Sequence, residues 1–163
     1  MLLNPIELLV FILPVYVANA SPVILGGGAP LDLGRKFMDG KPIFGPHKTF
    51  KGFIGGLIAG WMTATILSAL LGWGWLKPGL LACAGSMMGD LIGAFIKRRI
   101  GLKAGESAPL LDQLDFIIGA LILVYPIWKL SMATVLISLS ITPPIHLATN
   151  WIAYKLNLKK VPW

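Results

Sequence analysis

Apolar residues along this chain gather in long blocks, and nearly all of the charge lies in the short stretches between them. Residues 5–20 are apolar apart from Glu7, Tyr16 and Asn19, and further blocks run over 52–71, 79–96, 110–128 and 131–154. A helix that crosses a bilayer needs about 20 mostly apolar residues, so the pattern predicts five transmembrane helices at these positions. Two loops rich in Gly, Pro and basic residues separate them, at 26–51 and 97–109. Trp73-Gly74-Trp75, with Lys77 and Pro78, reads as a tight turn anchored at a membrane interface. Pro143 and Pro144 fall inside the last block and are expected to kink it. The Ala18-Asn19-Ala20 ending of the first block imitates a signal-peptide cleavage site, but no Lys or Arg precedes the apolar run, so the segment is expected to stay as a span.

Composition agrees with an all-α integral membrane fold. Of 163 residues 56% are hydrophobic and only 13% charged, with a mean hydropathy of +0.78. One transmembrane domain over 1–163 is expected, and a separate soluble domain is excluded. The lone Cys83 excludes an intrachain disulfide and a cysteine metal cluster, and reads as core or lipid-facing filler.

Charge adds direction. Lys and Arg number 14 against 7 acidic residues. The first loop holds Arg35, Lys36, Lys41, Lys48 and Lys51, the second Lys97, Arg98, Arg99 and Lys103, and the tail Lys155, Lys159 and Lys160; only Lys77 and Lys129 fall on the other side. Basic residues collect on the cytoplasmic side, which predicts an outside N-terminus and a cytoplasmic C-terminus. Topology accounts for the basic excess, so no nucleic-acid partner is implied, and nothing in the pattern speaks to oligomeric state. Gly52, Gly56 and Gly60 on the second span and Gly85, Gly89 and Gly93 on the third repeat every four residues, which predicts close contact between those two helices.

Within this orientation the polar residues of the spans converge on one face. Ser86, Asp90, Gly93 and Lys97 share one stripe of a helix, and Asp112 and Asp115 project from one face just after Pro109. Thr142, His146, Asn150 and Tyr154 follow at four-residue intervals and read as polar glue between helices. An intramembrane carboxylate costs about 2.5 kcal/mol or more, so Asp90 must be paired, hydrated or bound to a cation. Pairing with Lys97 is one solution, although seven residues separate them by about 10 Å along the axis. The other is a hard divalent cation held by Asp90, Asp112 and Asp115, with lysines and arginines around a polyphosphate.

Two segments carry a resemblance. Asp90-Leu91-Ile92-Gly93-Ala94-Phe95-Ile96-Lys97-Arg98, then Lys103, Gly105 and Pro109, then Asp112-Gln113-Leu114-Asp115-Phe116, resembles the signature of membrane CTP-dependent cytidylyltransferases. Gly45-Pro46-His47-Lys48-Thr49-Phe50-Lys51-Gly52 is similar to their second motif, and the short chain is similar to their archaeal branch, the CDP-archaeol synthases. The departures are Gln113 and Leu114 within the acidic motif, Ala94 ahead of Lys97-Arg98, and a missing His-Gly-Gly.

The resemblance implies transfer of a cytidylyl group from CTP to a phosphate-bearing isoprenoid ether lipid, with Mg²⁺ or alternatively Mn²⁺ as cofactor. It implies Asp90 and Asp112 as metal ligands, Asp115 as a ligand or its partner, and Lys48, Thr49, Lys51, Lys97 and Arg98 as phosphate contacts. The site would lie on the cytoplasmic side of a cell-membrane, multi-pass protein, with loop 26–51 either closing over nucleotide or serving as a connector. Phosphatidic acid as the lipid, or a non-enzymatic transporter built on Asp90 and the last span, are the alternatives. A CDP-alcohol phosphatidyltransferase is disfavoured because its Asp-Gly-x-x-Ala-Arg signature is absent.

Overall fold

The computed structural model describes residues 3–162, which form α1 (Pro5–Ala20), α2 (Pro22–Leu25), α3 (Phe50–Leu71), α4 (Leu76–Arg99), α5 (Leu111–Val124) and α6 (Met132–Lys155). The starts of three long helices are written in side chains. Asn4 accepts from the backbone N–H groups of Ile6 and Glu7 at 3.0 and 3.3 Å, ahead of Pro5. Thr49 caps α3 by accepting from Gly52 N–H at 3.1 Å, and Ser131 caps α6 by accepting from Thr134 N–H at 3.2 Å. Each satisfies a donor that the helix itself cannot. The turn at 73–75 is a short 3₁₀ segment leading into α4.

Among the described residues, four segments are long and apolar enough to cross a membrane: Pro5–Leu25, Phe50–Leu71, Trp73–Arg99 and Met132–Lys155. The predicted span over 110–128 is a helix of only 14 residues, Leu111–Val124. At 1.5 Å per residue it covers about 21 Å, less than the ~30 Å apolar thickness of a bilayer. Turns continue the chain from Tyr125 to Leu130. Pro126, inside the expected span, explains why an apolar run there does not remain helical. α4 starts and ends about three residues outside the predicted 79–96, while α6 stays helical through Pro143 and Pro144.

The second and third predicted spans, α3 and α4, are in contact as expected, but their glycine rows do not face one another. Gly85 and Gly89 of α4 lie against Gly119 and Asp115 of α5, so closely that an added Cβ would strike backbone oxygen in both cases. The row on α3 admits α1 instead: a Cβ on Gly56 would stand 2.6 Å from Ala18 O, and one on Gly60 would stand 2.7 Å from Ala18 Cβ. Only side chains of α4, Met87 and Cys83, reach that second row. Without a hydrophobic drive between helices in lipid, close backbone approach is what gives packing its strength. The rows therefore bring α1 against α3 and α5 against α4 by backbone, while α3 and α4 meet through Met87, Cys83 and the approach of Gly79 to Ala64.

Phe11 and Val15 of α1, Ala82 of α4 and Phe116, Ile117, Ala120 and Val124 of α5 form the main buried cluster. Cys83 is buried beside Ala18 and Met87. α6 joins this core largely through polar contacts. Buried Glu7 accepts from Ser131 N–H at 3.3 Å and from Thr134 Oγ1 at 2.5 Å, placing a carboxylate at the helix start where its charge is favoured. Tyr16 Oη and Thr142 Oγ1 share a hydrogen bond of 2.8 Å.

Gly119→Ala should lower thermal stability in detergent by about 1–3 kcal/mol, the cost of forcing extra volume into a packed contact. Gly74→Ala serves as its comparison, because nothing lies within 4 Å of the added methyl. Equal melting temperatures for the two variants would contradict the α4–α5 seam.

Candidate functional site

The first loop is built around Asp32. This buried side chain accepts from Gly34 N–H through Oδ1 at 3.0 Å, and from Phe44 and Gly45 N–H through Oδ2 at 2.9 and 2.8 Å. Burial disfavours its charge, yet the N–H donors of Gly45, Phe44 and Gly34 outweigh that and hold its pKa below the ordinary aspartate value. Residues on either side of the Asp32-centred turn then pair. Leu31 N–H donates to Lys48 O at 2.7 Å, Phe50 N–H to Ala29 O at 3.1 Å, and Pro30 bridges Thr49. Thr49 Oγ1 also accepts from Gly27 N–H at 3.3 Å, so the glycine turn is folded onto the start of α3. Loop 26–51 is thus an ordered, internally bonded structure.

This loop aims Lys48 at α4. Its ammonium donates to both carboxylate oxygens of Asp90, at 2.5 and 2.6 Å. The pairing of Asp90 with Lys97 is not formed; Lys97 reaches α5 and pairs with Asp112 at 2.8 Å, while also donating to Glu106 O at 2.9 Å. Opposite charge on a different element offsets the burial of each carboxylate at shorter range than the seven-residue separation along α4 allows. Pro22, Leu31, Lys48, Thr49, Phe53 and Asp90 line a shallow cleft beside the first pair.

The two residues after Lys97 organise the loops. Arg98 is only 6% exposed; it donates to Lys103 O at 3.1 Å and lies against Gly45, linking the two loops. Arg99 pairs with Asp39 at 3.0 Å, donates to Pro42 O, and stacks over Phe37 and Phe95. Lys41 donates to Arg99 O at 2.8 Å, capping the end of α4. Lys51 is exposed, with its stem near Gly28.

On α5, Asp112 occupies the first turn, where the helix dipole favours negative charge, and its Oδ2 accepts from Ala108 N–H at 2.9 Å. Leu110 precedes it at φ 66° and ψ −45°, a sparsely populated conformation for a residue with a Cβ. Asp115, one turn on, fits against Gly93: a Cβ at that glycine would collide with the Asp115 carboxylate. Asp90, Lys48 and Asp112 are its charged neighbours. The structure therefore brings together Asp90, Asp112, Asp115, Lys48 and Lys97, and sets Arg98 among the loops and Lys51 at the surface.

Three hard oxygen donors of negative charge fit a divalent cation by type. Among the described residues no three His, Cys, Asp or Glu side chains form a ready cage; lysines stand against Asp90 and Asp112, while Asp115 makes none of the ion pairs seen among those residues.

Sequence reasoning missed the α6 side of the site. Asn150 contacts the His146 ring nitrogens through Nδ2 at 3.1 and 3.3 Å and accepts from Lys159 Nζ at 2.9 Å through Oδ1. The His146 ring lies 6.0 Å from Phe116, which follows Asp115. The four-residue spacing of His146 and Asn150 was the available signal. Lys159 lies beyond the helix and carried none.

Asp32→Ala should lower hydrogen-exchange protection of the Phe44 and Gly45 amides by about tenfold or more, since bonds to a charged acceptor contribute roughly 1.5–3 kcal/mol. In the wild type, the depressed pKa means that this contribution is full above the unfolded aspartate value and is lost as pH falls through the lower folded one. Protection that stays constant through that descent, or that survives the substitution, would argue against Asp32 as the centre of the loop.

Comparison with known proteins gives this geometry a family. The model of the CarS-like CDP-archaeol synthase family matches residues 1–163. The CDP-archaeol synthase of Methanococcus aeolicus is 47% identical, the match covering 94% of each chain. That of Pyrococcus furiosus is 46% identical over 94% of this chain and 95% of its own. A solved structure of an intramembrane enzyme for archaeal membrane lipids biosynthesis superposes with a TM-score of 0.84 at 34% identity, over 90% of this chain and 94% of that one. The chain belongs to the CDP-archaeol synthase family.

Proposed function

We propose that this protein transfers the cytidylyl group of CTP to the phosphate of an unsaturated, ether-linked geranylgeranyl glycerol lipid, forming a CDP-lipid and pyrophosphate. The observation that carries the reading is the meeting of Asp90, Asp112 and Asp115 from two helices with Lys48 and Lys97 at one end of the bundle. Family membership supplies the reaction class, and this cluster supplies the charge it needs. An oxygen of the lipid phosphate attacks the α-phosphorus of CTP. The bond to the bridging oxygen breaks, and its electron pair leaves with pyrophosphate.

Both reactants are anions, so the work of the site is positioning and charge neutralisation. Lys48 and Lys97, on flexible stems, turn from their carboxylates to phosphate oxygens. Thr49 keeps its hydroxyl proton to donate while accepting from Gly27 and Gly52. Lys51 adds positive potential at the rim, and Arg98 adds it while holding the loops. Asp90, Asp112 and Asp115 are the residues that would hold Mg²⁺ or Mn²⁺; bound there, such an ion would neutralise charge on the reacting phosphates.

The reading also includes five spans, with the short α5 and the turns after it crossing as the fourth, the N-terminus outside, and the site and C-terminus cytoplasmic. The distribution of basic residues supports this. Cysteine introduced at Met38 or Ala104, both exposed, should be labelled by an impermeant reagent only after cells are opened. Labelling in intact cells would reverse the orientation.

Purified protein with labelled CTP and the diether phosphate should give labelled lipid only with Mg²⁺ or Mn²⁺. Asp90→Asn and Asp112→Asn should each lower turnover by about a hundredfold or more, on the scale of losing one preorganised charge-stabilising group, without loss of helical content. Lys129→Ala, at the opposite end of the bundle, should leave it unchanged. Full activity in both aspartate variants would remove these carboxylates from the chemistry. Label entering only phosphatidic acid would change the lipid assigned here.

A further inference from the structure

The C-terminal half of α6 and the tail after it bring one further basic side chain, Lys159, back onto the bundle. α6 has little company in the bundle, with Leu147, Trp151 and Ile152 all exposed where lipid chains would lie. Asn150 is buried on this otherwise exposed stretch. Its amide joins two groups that could meet an anion: the His146 ring at 3.1 Å and the Lys159 ammonium at 2.9 Å.

The backbone is shaped to bring Lys159 there. Asn157 takes a left-handed conformation with φ 57°, a helix-ending geometry that Asn tolerates better than most residues. Leu158 and Lys159 N–H both donate to Ala153 O, at 2.9 and 3.3 Å, so the chain doubles back along the helix it has just left. The reversal returns the Lys159 side chain over two turns of α6, to the level of Asn150. His146, one turn further in, places its ring against Phe116, which follows Asp115. Burial lowers the Lys159 pKa, Asp112 opposes that, and Lys48 and Lys97 add to it, as befits an ammonium drawn in among the site's own charges.

We infer that His146, Asn150 and Lys159 form the subsite for the phosphate of the lipid substrate, opposite the Lys48–Thr49 side that receives the nucleotide. This rests on the cytidylyl transfer proposed above. In-line transfer requires the attacking phosphate and the leaving pyrophosphate on opposite sides of the α-phosphorus, and each side needs cations of its own. The first loop supplies Lys48 and Thr49 beside the cleft against α2, α3 and α4. The other wall, on α6, borders exposed apolar helix surface, so a phosphate can reach Lys159 while its chains remain in the bilayer. Lys159 and the Asn150 amide bind phosphate oxygens, and His146 joins Asn150 to the ring of Phe116, the residue after Asp115. The chemistry recognised is a phosphate monoester, and the apolar surround selects a membrane-borne one over a soluble one.

The experiment varies each substrate in turn in detergent micelles, using wild type, Lys159→Met, Lys159→Arg and Asn150→Ser. For Lys159→Met we expect the KM for the diether phosphate, expressed as its micellar mole fraction, to rise about tenfold, the scale of one lost charged hydrogen bond. The KM for CTP should change less than twofold, and Lys159→Arg should recover most of the loss. Asn150→Ser, which shortens the side chain but keeps it polar, should move the same constant in the same direction. Soluble glycerol phosphate should compete only at concentrations far above those of the lipid. A KM change confined to CTP, an equal change in both constants, or no change in either would overturn the subsite, as would strong competition by glycerol phosphate. Wild-type protein that makes no labelled lipid would remove the transfer reaction and this subsite together, whereas active wild type with an unaffected Lys159→Met removes the subsite alone.

Discussion

The close approach of α4 and α5 is the constraint on which the site depends. With Gly85 and Gly89 set against Gly119, the two backbones meet without side chains between them, and the carboxylates at their ends come to one level. Asp115 illustrates the dependence most directly. Its carboxylate occupies the volume that any side chain at position 93 would fill, so Gly93 is at once a packing residue and part of the site's shape. A wider helix pair would separate Asp90 from Asp115, and lysine stems would have to span the difference.

The end of α4 converts that helix contact into an ordered polar surface. Lys97, Arg98 and Arg99 are consecutive, so they point in three directions around the helix. One reaches α5 through Asp112, one links Lys103 to the region of Gly45, and one holds Asp39 and Pro42 of the first loop. Positive side chains also suit the carbonyl end of a helix. The residues that predict orientation from sequence are therefore also a scaffold. Their individual partners follow from the helix geometry.

Much of this was legible in the sequence. The long apolar blocks identified every major helix, and the four-residue and three-residue spacings placed Asp90, Lys97, Asp112 and Asp115 on converging faces. The partners were not legible, because pairing depends on which elements meet. The glycine spacing gave a close-packing face on α3 and on α4 and the contact between those helices, but not that α1 also packs on the α3 face or that α5 takes the α4 face. Asp90 looked toward Lys97 along its own helix, whereas the first loop brings Lys48 nearer. The apolar block over 110–128 also outruns the helix it predicts, since α5 ends at Val124 and turns around Pro126 follow. Asp32, Glu7 and Lys159 gave no periodic signal at all. Each acts by meeting backbone or side-chain groups distant in sequence or beyond a chain reversal.

The two lysine–aspartate pairs explain how so many carboxylates persist at the end of an apolar bundle. Asp90 and Asp112 have side chains only 23% exposed, and each is met by an ammonium from another element rather than by water alone. Such pairs contribute little net stability where water still reaches them, but a carboxylate stripped of its partner carries the desolvation cost unaided. The pairing therefore ties the folding of the first loop and of the 100–110 segment to the carboxylates they cover. It also keeps the ammonium groups beside the acidic cluster instead of extended into solvent. Because lysine is a compact charge on a flexible stem, a change of partner would need only rotation of that stem. The glycine seam sets where the carboxylates stand, and the two lysines reach them from the first loop and across that seam.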